Sequence, residues 1–196
     1  MTERMTVSRA MHDVGLAAWF GGGLMGATGL NGAASRASNP QERASLSSDG
    51  WAIWTPWQVA AVGVHAIGGA GLIISNRNRL DAQPGATANT VAKFALTIAA
   101  AGVTAYSGYL GTKVKKNAEQ GARGATDPSG TSSPELASAQ KQLKVLQWAI
   151  PGLTGVLLVL GAQQGEQQRG VAGALDFSHD DLTVGTKAAK KKLAKA

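Results

Sequence analysis

The chain has 196 residues, enough for one ordinary domain, and 16% of them are charged, well below the quarter that is usual in soluble proteins. It contains no cysteine, which excludes disulfides, thiolate metal sites and cysteine catalysis. The formal net charge is +7, and the charged residues crowd into the segments between long uncharged windows. This segregation of charge indicates a membrane protein.

Four of these windows are long enough to cross a bilayer as helices, since about 20 mostly apolar helical residues span a hydrocarbon core ~30 Å thick. The predicted fold class is all-α, with four transmembrane helices in an up-down membrane bundle. A cytoplasmic lead-in is expected at 1–13 and a polar, lysine-rich cytoplasmic tail at 166–196. The membrane domain itself is predicted at 14–165, with spans at about 14–35, 56–76, 92–112 and 143–164.

The first window is unusually rich in glycine. A soluble helix loses roughly 1 kcal/mol of stability for each glycine relative to alanine. In a membrane, by contrast, small residues one turn apart let another helix backbone approach closely. Small residues with this spacing predict helix-packing faces at Gly22, Gly26, Gly68, Ala95, Ala99 and Gly102.

The second window is introduced by three tryptophans at a spacing of three. Thr55-Pro56 is typical of a helix start, a cap residue followed by proline at the first helical position, so the second helix is predicted to begin here after a polar loop at 35–49. Indole rings favour the headgroup region of a bilayer. The sequence therefore predicts an interfacial belt formed by Trp51, Trp54, Trp57 and Trp148.

The segment 113–133 is predicted to be a flexible loop, because its small and polar residues cannot bury enough apolar surface to order it. Ser133-Pro134-Glu135 then has the features of a helix start, with an N-cap, a first-turn proline and a first-turn acid. The fourth helix is therefore expected to begin well before the bilayer. A kink is expected at Pro151, because proline removes a backbone donor and clashes with the preceding turn.

The distribution of positive charge predicts the orientation. If all four windows cross, the face that holds the N-terminus, the 77–93 loop and the C-terminal tail carries 11 of the 19 lysines and arginines, which favours cytoplasmic termini. The C-terminal lysines are expected to contact anionic lipid headgroups, at ~1 kcal/mol each. No nucleic acid partner is expected, because no aromatic residues are interleaved with these lysines.

His65 lies near the middle of the second window, where an ionisable side chain is a functional candidate. The simpler interpretation is a neutral imidazole that hydrogen-bonds a neighbouring helix. A haem held between His12 and His65 is the alternative. His12 is expected at the cytoplasmic edge, however, so the two histidines would differ in depth by about 15 Å at ~1.5 Å per residue. The expected partner of the neutral imidazole is Thr97, Thr104 or Gln147.

The stretch M-H-D-V-G-L-A-A-W-F-G-G-G-L, at 11–24, resembles the first helix of CopD-type four-helix membrane domains, in which a histidine near the helix start precedes a tryptophan and a glycine pair. It also resembles small membrane proteins of actinobacteria that have no assigned activity. The resemblance covers about twenty residues and implies a membrane bundle. The other spans hold no matching set of metal ligands, so copper or haem handling stays open.

These patterns predict a multi-pass protein of the cell membrane that acts as a non-catalytic accessory or scaffold subunit. It would pack through its Gly/Ala-rich helix faces with itself or with a larger membrane complex, and it would have no enzymatic activity, metal or cofactor. One alternative is a haem- or metal-handling redox protein that uses His65, with His12 as a second ligand. The other is a soluble or peripheral helical protein whose weakly hydrophobic first and third windows pack in a core.

Overall fold

The computed structural model describes residues 5–77 and 84–193, and it describes side chains for 5–77 and 87–163. The chain divides into two compact units, Met1–Leu158 and Val159–Ala196. The apolar core and the buried polar contacts belong to the first unit. In the second unit the described backbone is helical, while the side chains of the lysine-rich tail lie outside the described residues.

Helices make up nearly all of the described chain, which confirms the all-α prediction. A π-helical turn, Gly26–Leu30, joins the first two helices without a break, and a 3-10 turn, Ala118–Gln120, follows the fourth. A small antiparallel hairpin pairs β1, Ala122–Gly124, with β2, Asp127–Pro128. The helices are α1 (Thr6–Met25), α2 (Asn31–Ala34), α3 (Pro40–Ser75), α4 (Pro84–Lys116) and α5 (Pro134–Leu193).

Three helical segments of the described chain are long and apolar enough to cross a membrane, and they coincide with the second, third and fourth predicted windows to within one residue at their C-terminal ends or extend beyond them. The first window is also helical, but it is not among these three. Its main helix, α1, carries Arg9 and Asp13 in its first turns, and it ends at Met25, where the π-helical turn begins. The three segments are Pro40–Ser75, Thr87–Lys116 and Pro134–Gln163.

The second predicted span begins sixteen residues earlier than the sequence suggested, at Pro40 instead of Pro56. The side chain of Asn39 accepts a hydrogen bond from the backbone N–H of Gln41 at 2.8 Å and so caps the helix. Asn39-Pro40 carries the same start signal as Thr55-Pro56, and it comes first. Pro56 therefore lies inside α3, and the predicted polar loop at 35–49 is reduced to a short turn at 35–39.

The start of the fourth predicted span, by contrast, agrees with the sequence. Helix α5 begins at Pro134, with Glu135 in its first turn, and the hydroxyl of Ser133 accepts a hydrogen bond from the N–H of Leu136 at 3.3 Å. Pro151 lies inside the helix, as predicted. The cap therefore determines where this helix begins, and the proline near the bilayer does not.

The segment predicted as a flexible loop, 113–133, contains the end of α4, the 3-10 turn and the hairpin. The N–H of Ala125 donates to the hydroxyl of Ser35 at 3.0 Å, and the guanidinium of Arg43 donates to the carbonyl of Arg123 at 2.9 Å. Ala122 is fully buried. Backbone groups of this segment are thus hydrogen-bonded to side chains of the α2–α3 region. These bonds stabilise the segment although its composition offers little apolar surface to bury.

Two apolar clusters form the core. One lies at the α4–α5 end next to the hairpin and contains Leu110, Val114, Leu136 and Ala139. The other joins α1, α3, α4 and α5, so the first window packs together with the three apolar helices although it is not counted as a span. The residues of this second cluster are Leu16, Trp19, Ala61, Ala100, Ile150 and Leu157.

Candidate functional site

Helices α1 and α3 run antiparallel and touch backbone to backbone at two glycines. A Cβ added at Gly15 would lie 2.5 Å from the backbone nitrogen of His65, and one added at Gly68 would lie 2.6 Å from the carbonyl oxygen of Ser8. A Cβ at Gly68 would also collide with the backbone nitrogen of His12. Only glycine allows helices to approach this closely. The contact brings the two histidines together.

The imidazole rings of His12 and His65 lie side by side, with centroids 4.3 Å apart and planes tilted by 39°. The Nδ1 of His65 bonds the backbone carbonyl of His12 at 2.9 Å, and the Nδ1 of His12 bonds a carboxylate oxygen of Asp13 at 2.8 Å. Carbonyl and carboxylate oxygens only accept, so each Nδ1 carries the proton. In the neutral form of each ring, Nε2 then presents a lone pair.

The predicted 15 Å difference in depth between the two histidines is wrong. It assumed that His12 lies at the membrane edge level with Arg77, whereas α1 begins at Thr6 and His12 lies beside Gly68, within α3. The ring of His65 does hydrogen-bond a neighbouring helix, as the simpler interpretation expected, but not through the expected side chains. Its Nδ1 bonds the backbone of α1, while Thr104 accepts from Trp19 and Gln147 accepts from Asn31.

Trp19 closes one side of the histidine pair. It is fully buried, its ring meets that of His65 edge-on at 6.1 Å, and its indole N–H donates to the hydroxyl of Thr104 at 3.1 Å. Asp13 and Lys93, which lies on α4, are near enough to the histidine pair to act on it electrostatically. The sequence had not singled out Asp13 or Lys93, although the acid directly after His12 and the lysine at the start of the third window were visible signals.

The geometry does not fit a haem between the two histidines. Axial ligands lie on opposite faces of the porphyrin, which places their ring centres about 6 Å apart. The centroids of His12 and His65 are 4.3 Å apart, so a porphyrin plane cannot lie between them. Within the part of the chain that the structure describes, no group of three or more His, Cys, Asp or Glu side chains could hold a metal ion. Any ion here would have to rely on the two imidazoles and water.

The predicted helix-packing residues divide into two sets. Gly68 contacts the backbone of α1, whereas Gly22 and Gly26 contact the indole rings of Trp54 and Trp51. All three glycines therefore pack against other residues of the same chain and are not available to a partner helix. The second set lies on α4 and is exposed, and no atom lies within 4 Å of a Cβ added at Gly102. This second set consists of Ala95, Ala99 and Gly102.

The four predicted belt tryptophans also differ from one another. Trp57 and Trp148 are 66% and 52% exposed, so their rings remain available for the predicted interfacial position. Trp51 and Trp54 are only partly exposed, because their rings fill the space left by Gly26 and Gly22. The glycine-rich stretch of α1 and the tryptophans of α3 are thus complementary surfaces of one helix pair.

Asn31 holds a buried polar node that the sequence reasoning overlooked. Its side-chain oxygen accepts from the hydroxyl of Ser47 at 2.9 Å and from the indole N–H of Trp51 at 3.0 Å. Its side-chain nitrogen donates to the side-chain oxygen of Gln147 at 2.7 Å. One carboxamide thereby links α2, α3 and α5. Asn31 lies at the end of the glycine-rich window, where sequence alone indicated only helix packing.

No protein-family model, curated protein or solved structure matches this chain. The resemblance of the stretch at 11–24 to CopD-type domains and to small actinobacterial membrane proteins therefore stays a prediction from those residues.

Proposed function

We propose that this protein is a non-catalytic accessory or scaffold subunit of the membrane, which associates through the outer face of α4 with a second copy or with another membrane subunit. The observation that carries the proposal is the exposure of this helix. Only 6% of its apolar window is buried, against 22% in each of the other two candidate spans, and it has the lowest hydropathy of the three. A weakly apolar helix gains little from contact with lipid alone.

The exposed face of α4 has the chemistry of a helix–helix contact. Ala95, Ala99 and Gly102 recur at intervals of four and three residues, so they lie on one side of the helix. Small residues in this arrangement let two helix backbones approach and gain van der Waals contact, which drives association where lipid removes the hydrophobic force. Gly22 and Gly26 are occupied by tryptophans of the same chain, and the association surface is therefore assigned to α4 alone.

A leucine at Gly102 is expected to weaken association at least tenfold, about 1.4 kcal/mol, because its side chain would hold the partner helix away. Folding should be unaffected, since the site is open within one chain. The measurement is the mass and subunit composition of the complex purified from native membranes in mild detergent.

Gly108→Leu is the matched control. It is an exposed glycine of the same helix, also with nothing within 4 Å of its Cβ position, and it lies six residues and therefore about 120° around the helix from Gly102. This variant should associate like the wild type. A Gly102→Leu protein that purifies with undiminished partner content would argue directly against the α4 face.

The proposal includes four crossings, with both termini in the cytoplasm and the C-terminal lysines at anionic lipid headgroups. It is supported by the packing of α1 along α3, from Ser8 opposite Gly68 to Gly26 opposite Trp51, which gives α1 the depth of its partner. The exposure of large apolar side chains on α3 and α4 disfavours the soluble alternative, because in water such surface is costly. These side chains include Ile53, Val59, Ile67, Ile74, Phe94 and Ile98.

The absence of natural cysteine makes this topology directly measurable. In cells whose cytoplasmic membrane is intact, Ser129→Cys, directly after β2, should react with a membrane-impermeant maleimide. Thr2→Cys should react only after that membrane is permeabilised. Equal labelling of both positions would mean an even number of crossings between them and would contradict the proposed topology. Protection of both would place the protein on the cytoplasmic surface, as the peripheral alternative requires.

A further inference from the structure

We propose that the His12–His65 pair is a pH-sensitive contact, which holds α1 against α3 while at most one imidazole is charged and releases α1 when both take up a proton. This device is distinct from the α4 face and does not depend on it. The two residues are buried, 8% and 3% exposed, and they lie where the two helix backbones touch at glycines. Imidazole ordinarily titrates between about pH 5 and 8, so the pair can respond to a modest change of pH.

The hydrogen bonds determine where an added proton goes. Each Nδ1 already donates, that of His12 to the Asp13 carboxylate at 2.8 Å and that of His65 to the His12 carbonyl at 2.9 Å. An added proton therefore binds Nε2, and it charges the ring without breaking either bond. The Asp13 side chain is 60% exposed, which leaves this end of the pair open to proton exchange.

The distance between the rings makes a second proton unfavourable. The charge of an imidazolium is shared over the whole ring, and the two ring centroids are only 4.3 Å apart. The Asp13 carboxylate compensates one positive ring, but a second like charge at this distance is repelled strongly where water is excluded. The packed pair therefore holds at most one proton, and α1 and α3 must separate before it holds two.

The other charges around the pair come from α1 and α4. Asp13 and Lys93 act electrostatically on His65, and Arg9 acts on Lys93. Helix α3 has no ionisable residue other than His65 at 50–76, and α5 has none at 145–165. Lys93 adds to the repulsion of a second proton, whereas Asp13 favours the first. Asp13 is therefore the neighbour whose removal should make the packed state more sensitive to acid.

Helix α1 is the element expected to move. It is not among the helical segments of the described chain that are long and apolar enough to cross a membrane. At Gly15 and Gly68 the backbones of α1 and α3 touch directly, so the contact holds no side chain that could rearrange. Repulsion between the rings is therefore relieved by displacement of the helix itself.

The test follows the α1–α3 contact directly. Val7 and Ile74 are exposed and lie at adjoining ends of the two helices, because the neighbouring Ser8 contacts Gly71. The chain has no natural cysteine, so the full chain with Val7→Cys and Ile74→Cys can be labelled with pyrene maleimide in detergent. Excimer emission reports packed helices. We expect the temperature at which it is lost to fall by roughly 3–6 °C per pH unit between about pH 7 and 5.5, the effect of one extra proton bound by the separated state.

Two variants should change this slope in opposite directions. In His65→Asn the fall should disappear, because the amide nitrogen takes approximately the place of Nδ1 and still donates to the His12 carbonyl but binds no proton. In Asp13→Asn the fall per pH unit should about double, because the packed pair loses the charge that compensates its first proton. His179→Ala is the control, since His179 is the remaining histidine of the chain, and it should behave like the wild type.

A wild-type loss temperature that stays constant across this pH range would overturn the proposal. So would a fall that persists in His65→Asn or one that disappears in His179→Ala. Asp13→Asn changes an exposed side chain and gives a reading even if His65→Asn fails to fold, and an unchanged or shallower slope in this variant would also contradict the proposal. Carboxylates ordinarily titrate near pH 4, below this range, so the exposed ion pairs do not mimic the effect.

Discussion

An alanine at Gly68 is expected to destabilise the protein strongly, and by more than an alanine at any glycine that faces only side chains. The new Cβ would collide with the backbone nitrogen of His12 and would lie 2.6 Å from the carbonyl oxygen of Ser8. A helix backbone cannot rotate away as a side chain can, so α1 would have to move off α3. Overpacking of this kind costs about 1–3 kcal/mol or more. Thermal unfolding in detergent, followed by circular dichroism, measures the loss.

Gly63→Ala provides the comparison on the same helix. No atom lies within 4 Å of a Cβ added at Gly63, so this substitution adds no contact. Alanine favours a helix over glycine by roughly 1 kcal/mol, and the unfolding midpoint should therefore stay the same or rise. Equal midpoints for the two variants would show that α1 and α3 do not approach as closely as the structure places them.

Replacement of Asn31 with leucine should have the second largest effect. Leucine is close to asparagine in length, but it offers no hydrogen bond to Ser47, Trp51 or Gln147. Each buried polar group left without a partner costs about 1–3 kcal/mol. We expect a total loss of several kcal/mol, with the largest part from the indole and the hydroxyl that lose their common acceptor. The measurement is again the unfolding midpoint, compared at matched detergent concentration.

Thr28→Val tests whether the loss of any polar side chain in this window would destabilise the protein as much as Asn31→Leu. The hydroxyl of Thr28 donates only to the carbonyl of Leu24 in its own helix, at 2.7 Å, and it lies at an exposed position. Its removal should change stability by less than about 0.5 kcal/mol, as is usual for surface positions. If Thr28→Val were as damaging as Asn31→Leu, the polar node would not be the source of the effect.

The helices were predictable from sequence where a local signal acts alone. The uncharged windows identified three helices that could cross a membrane, and the cap at Ser133 with Pro134 placed the start of α5 correctly. Where two similar helix-start signals follow one another, the local sequence does not show which of them begins the helix. Asn39-Pro40 and Thr55-Pro56 both predict a helix start, and α3 begins at the first because the capping hydrogen bond forms there.

The site was predictable only as a list of residues. An ionisable side chain in an apolar window is unusual, so the sequence identified His65 as a candidate site residue and His12 as its possible second ligand. Their contact was not foreseen, because the depth of each was estimated from the nearest charges instead of from the register between the helices. Asn31 gave no signal at all, since one asparagine among glycines has no period or spacing that points to its partners.

Sequence by itself determined the class of structure, because burial of apolar helices is governed by composition, length and the position of charges along the chain. The same reasoning singled out small residues as packing surfaces. Only the tertiary structure decided which surfaces those residues contact. Gly22 and Gly26 pack against tryptophan rings, Gly68 packs against a helix backbone, and Gly102 contacts no other part of the chain. The physical reason is that a glycine fixes how closely a neighbour can approach, while the register and packing of the whole bundle decide which neighbour it is.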